Sequence, residues 1–74
     1  MNIAIIAEMV KKRCKDRNVS IKTTLEESGA NRNFIYDVEH GRCPSAEIML
    51  SLAEYLDCSV DYLLGRTDKP EINK

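Results

Sequence analysis

The sequence predicts an all-α domain of five short helices, and three observations carry that expectation. Apolar residues recur at three- and four-residue steps, and no alternating strand pattern appears. Serine or asparagine precedes each apolar stretch, and glycine or asparagine follows most of them. The stretch from Ser20 to Gly41 divides into two short helices around a three-residue corner, which is helix-turn-helix spacing.

The first helix is expected from about Asn2 to Arg17. Asn2 can cap it, and Ile3, Ile6, Val10 and Cys14 recur at helical spacing, with Met9 widening the stripe. Asn18 ends it, since asparagine follows glycine as a left-handed exit residue. Ser20 caps the second helix, Ile21 to Ser28, and Leu25 is its one strong core residue before Gly29 stops it. Asn31 caps a third helix that spans about residues 31–40 and ends at Gly41. Pro44 forces Cys43 into an extended conformation, and Ser45 caps a fourth helix whose Met49, Leu52, Ala53 and Leu56 should fill the core. The chain breaks at Asp57 and Cys58. Ser59 then caps a short fifth helix, Val60 to Leu64, closed by Gly65. Residues 1–65 thus form one domain, and residues 66–74 are expected to be a flexible tail. No internal repeat or low-complexity tract is present.

At 74 residues the chain makes one domain at most. No apolar run approaches the ~20 residues of a membrane span. Ile3 to Ala7 is too short for a signal-peptide core, so a cytoplasmic setting is expected. The three cysteines, Cys14, Cys43 and Cys58, show no C-x-x-C spacing, and His40 is the only histidine. Zinc needs about four ligands, so neither a metal nor another cofactor is expected. Glu26 and Glu27 are neighbours in sequence and do not face each other on a helix, which leaves no paired carboxylates for acid–base work. No nucleophile–base pair, phosphate loop or small-molecule site is visible, and the chain does not read as an enzyme.

Charge is unevenly distributed. The net charge of −1 is unusual for a nucleic-acid binder. Yet Lys11, Lys12, Arg13, Lys15 and Arg17 crowd the end of the first helix, whereas Glu47, Glu54, Asp57, Asp61, Asp68 and Glu71 fall within residues 43–74. The basic cluster suits either the negative end of the helix dipole or a phosphate-facing surface. The third helix divides cleanly at 3.6 residues per turn. Phe34, Ile35 and Val38 share an apolar face, while Arg32, Asn33, Tyr36, Asp37 and His40 share a hydrogen-bonding one. The first face needs a core, and the second suits base edges in a major groove.

These residues resemble a known family. Gly29 at the corner, Ile35-x-x-Val38-Glu39-x-Gly41, Pro44-Ser45, and Leu52-Ala53-x-x-Leu56-x-Cys58-Ser59-Val60-Asp61-Tyr62-Leu63-Leu64-Gly65 are similar to the Cro/C1-type, or XRE, helix-turn-helix domains over about residues 3–67. The resemblance implies a five-helix lambda-repressor-like domain that regulates transcription. It implies a repressor that binds a palindromic double-stranded operator as a homodimer, without a membrane or a small-molecule ligand. It places Arg32, Asn33, Tyr36 and Asp37 on base edges and Ser20, Lys22, Asn31 and Arg42 on phosphates. Val60, Leu63 and Leu64 become candidates for a dimer seam, with packing on the first helix as the alternative. A second reading on the same fold is a protein-interaction module such as the antitoxin of a toxin–antitoxin pair.

Three positions depart from the family pattern. Ile21 stands where glutamine is common. Cys14 stands where an arginine often pairs with the recognition-helix glutamate, so Glu39 is expected to turn to Arg13, to Arg17 or to water. Asp37 replaces a neutral or basic residue; it could accept from cytosine but would repel a phosphate.

Overall fold

Serine caps at three helix starts and left-handed residues at the helix ends cut the described residues into five short cylinders. A computed structural model of the chain describes residues 2–71. The helices are α1 (Ala4–Asp16), α2 (Ile21–Ser28), α3 (Phe34–Glu39), α4 (Ala46–Leu56) and α5 (Val60–Leu63), with no strand among the described residues. Ser20, Ser45 and Ser59 each accept from the N–H three residues on, at 3.0 Å from Thr23, 3.3 Å from Ile48 and 3.0 Å from Tyr62. Such a cap contributes about 1 kcal/mol. Asn2 Oδ1 accepts from the Ala4 N–H at 3.0 Å, but α1 begins two residues later than expected, and its cap position is Ile3, which makes no side-chain cap bond.

All five helices end the same way. Asn18, Gly29, Gly41, Asp57 and Gly65 have positive φ, and the N–H after each returns to the carbonyl five residues back. These bonds run from Val19 to Cys14, Ala30 to Leu25, Arg42 to Asp37, Cys58 to Ala53 and Arg66 to Asp61, at 2.9–3.0 Å. This Schellman closure satisfies carbonyls that the helix leaves open. Asp57 is the unexpected member. Its left-handed backbone carries a cost that glycine avoids, and Arg13 holds it from outside. The guanidinium donates to the Leu56 carbonyl at 3.0 Å and the Asp57 carbonyl at 2.9 Å, tying α1 to the end of α4.

The core forms where the stripes meet. Ile6, Ala7, Val10 and Cys14 of α1 join Leu25, Phe34, Val38, Met49, Leu52, Ala53, Leu56, Cys58, Tyr62 and Leu63. Helix α1 packs on α2, α3 and α5, while α4 packs on α2 and α5. Thr24 and Ser28 are buried as well, so α2 contributes more than the expected Leu25. Thr24 is accommodated because its hydroxyl donates to the Ser20 carbonyl at 2.8 Å and accepts from the Cys14 thiol at 3.4 Å.

Several boundaries fall inside the expected ones, the late start of α1 and the end of α3 at Glu39 among them. Helix α1 stops at Asp16, α5 stops at Leu63, and α3 starts only at Phe34. The segment after Gly65 was expected to be free, yet the Ser59 N–H donates to the Pro70 carbonyl at 2.9 Å, which brings the chain back to the start of α5. Residues 72–74 of the expected tail lie outside the described residues.

Candidate nucleic-acid interface

Helix α3 is anchored on one side and bare on the other. Phe34 and Val38 are only 6% and 1% exposed, and Ile35 is half-buried against the core. On the opposite side Arg32 and Asn33 are exposed, and Tyr36 is 63% exposed. Burial of the apolar face fixes how far the polar face stands out, because a helix is rigid over this length.

Arg32 and Asn33 do not lie within the hydrogen-bonded helix, where the sequence placed them. Asn31 is the reason. Its Oδ1 accepts from the Asn33 N–H at 2.9 Å, and its carbonyl accepts from the Phe34 N–H at 2.9 Å. The chain therefore enters α3 through a tight asparagine turn, and Arg32 and Asn33 form its tip. Asn31 is therefore not the cap of α3 that was expected: the cap position falls to Asn33, which makes no side-chain cap bond, and the Asn31 Oδ1 closes the turn ahead of it.

The neighbouring polar residues divide by environment. The Ser20 hydroxyl is engaged in the α2 cap and donates to the Thr23 hydroxyl at 2.8 Å. Lys22 is exposed on the first turn of α2. Arg42 follows Gly41 with its side chain 79% exposed, and its Nη1 lies 3.8 Å from Asp37 Oδ2. Asp37 is only half-exposed and lines a cleft of about 380 Å³ together with Asn31, Arg42 and Ser45. It leans toward Arg42. Ile21 lines a second groove, about 590 Å³, with Leu25, Ile35, Lys22 and Arg32.

Glu39 finds a partner that sequence reasoning missed. Its Oε2 lies 3.2 Å from Lys11 Nζ, not against Arg13 or Arg17. Arg13 is held by the end of α4, and Arg17 Nη1 lies 3.9 Å from Asp57 Oδ2. An ion pair thus still links α1 to α3, one turn earlier than Cys14. No local spacing announces it, because the two residues are 28 apart in the chain.

A helix-turn-helix family model matches residues 10–63. The chain belongs to the Cro/C1-type helix-turn-helix family. Neither the curated proteins nor the solved structures compared with it gave a match. The Cro/C1-type assignment makes this a DNA-binding regulator domain, and the family is not one of enzymes. No described helix is long and apolar enough to cross a membrane.

In this Cro/C1-type domain the residues considered for a dimer seam separate. Leu63 has no exposed surface and belongs to the core of the single chain, so it is not available to a second copy. Val60 and Leu64 remain half-buried. Leu50 was not anticipated: it falls off the stripe of Met49, Leu52, Ala53 and Leu56, and is 58% exposed beside Val60 and Glu54. The cysteines also separate. Cys14 and Cys58 are buried and Cys43 is exposed. Burial pushes the Cys58 thiol above its ordinary range, with Arg13 opposing and Asp57 and Cys14 adding.

Proposed function

We propose that the chain is a repressor that binds a palindromic operator as a homodimer, with the α3 face in the major groove. The observation that carries this reading is the anchoring of Phe34 and Val38 beneath an uncovered Arg32, Asn33 and Tyr36. Arginine grips guanine O6 and N7 with two hydrogen bonds, and asparagine does the same for adenine N6 and N7. Because Arg32 and Asn33 sit on the tip of the entry turn, they reach deepest. Tyr36 follows on the first turn of α3.

Lys22, Arg42 and the backbone around Ser20 serve phosphates, which set register without reading sequence. Asn31 shapes the turn through its Oδ1, and its Nδ2 amide, which that bond does not use, supplies the donor for a phosphate. Asp37 acts chiefly on Arg42: at 3.8 Å it orients the guanidinium and moderates its charge. Val60 and Leu64, extended by Leu50, supply the seam between copies. Two recognition helices would then lie about 34 Å apart, one turn of B-DNA.

Selection of bound duplexes from random DNA by the purified chain tests the reading. Enrichment of a two-fold symmetric site at physiological salt supports it. Enrichment of nothing removes it and favours a protein partner for the same fold.

A further inference from the structure

The ring of His40 lies on the ring of Tyr36. Their centroids are 4.1 Å apart and their planes differ by 27°. His40 Nδ1 is 2.8 Å from the Tyr36 carbonyl. A carbonyl oxygen only accepts, so Nδ1 carries the proton and the imidazole is held by its own helix end. Tyr36 is 63% exposed, and no described side chain other than His40 stacks on its ring. An exposed tyrosine without such a neighbour samples several rotamers, and docking it into a groove then freezes that freedom.

We infer that His40 is a positioning residue for Tyr36. It presets the phenol ring in one orientation on the bare face of α3, so that the ring meets its base without an ordering cost at the moment of binding. The inference rests on the proposed reading of that face. It assigns His40 no contact with DNA: its effect on binding runs entirely through Tyr36.

A double-mutant cycle tests it, with the duplex that the wild-type chain selects from random DNA as the probe. His40→Ala should weaken binding of that duplex roughly 2- to 12-fold, the range set by immobilising one side chain. In a Tyr36→Ala background the same change should alter affinity by less than about twofold, because the ring to be positioned is gone. His40→Phe keeps a stacking ring and should restore affinity, whereas His40→Gln keeps polarity without the ring and should not. The urea midpoints of the His40→Phe and His40→Gln variants, measured without DNA, separate a binding effect from a folding one. Equal losses in both backgrounds would mean that His40 touches DNA directly, and no loss in either would mean that the stack is idle; each overturns the inference. If the wild-type chain selects a duplex, the reading of α3 survives those outcomes. If it selects none, that reading and the inference built on it fall together.

Discussion

Three glycines of this domain share a left-handed backbone but differ in the space around them. Gly29, Gly41 and Gly65 have φ of +74°, +92° and +76°. A β-carbon on Gly29 or Gly41 would meet nothing within 4 Å, whereas one on Gly65 would lie 2.8 Å from Ile5 Cγ1 and 3.5 Å from Ile5 Cγ2. Alanine at Gly29 or Gly41 should therefore cost only the left-handed strain, about 1–2 kcal/mol. Alanine at Gly65 adds overpacking of about 1–3 kcal/mol, for a total of about 2–5 kcal/mol. The contact matters because it joins the start of α1 to the end of α5. Urea unfolding followed by circular dichroism measures the difference as a larger shift of midpoint at unchanged slope. Ile5→Ala in the Gly65→Ala background should then cost less than in the wild type, by at least about 1 kcal/mol. Equal midpoints for the three alanine variants, or additive effects at Ile5 and Gly65, would refute the reasoning.

Arg32→Ala should lose about 1–3 kcal/mol of binding and relax preference at one base position per half-site, read by competition with singly substituted duplexes. Lys22→Ala or Arg42→Ala should instead weaken all sequences alike and reduce the salt slope by about one phosphate each. Arg13→Ala, which removes two charged donors from the end of α4, should destabilise the fold by about 1–3 kcal/mol. Lys11→Ala breaks an ion pair whose side chains are 42% and 45% exposed, and should cost about 0–1 kcal/mol in the same urea assay. Because burial raises the folded Cys58 thiol, the unfolded chain ionises first as pH rises. That contribution is complete below the ordinary thiol range and declines as pH climbs through it toward the folded value. Urea midpoints measured across alkaline pH should fall, and Cys58→Ala should flatten the fall.

Much of the fold was legible because it is written locally. Ser20, Ser45 and Ser59 mark helix starts, and Asn18 with the three glycines marks ends, through bonds that span five residues or fewer. The alternation of apolar and polar faces on α3 was readable for the same reason, as was the core role of Phe34. What was not legible depends on docking. Lys11 meets Glu39, and Arg13 reaches the end of α4, only after α1 has found its place. The burial of Leu63 and the exposure of Leu50 likewise follow from how α4 and α5 settle, since both residues are leucine. The left-handed Asp57 was hidden by its residue type, which gives a weaker signal than glycine. The start of α3 was misplaced because Asn31 builds a turn before the helix, and its carboxamide serves both readings equally well.

Titration of the isotope-labelled chain with its selected duplex, followed by backbone amide shifts, bears most directly on where the nucleic acid sits. The expected result is a set of perturbed amides concentrated on residues 31–37, the first turn of α2 and Arg42, with α4 and α5 moved only where a dimer forms. Shifts that concentrate around Leu50, Glu54 and Asp61 and leave Arg32, Asn33 and Tyr36 untouched would contradict it.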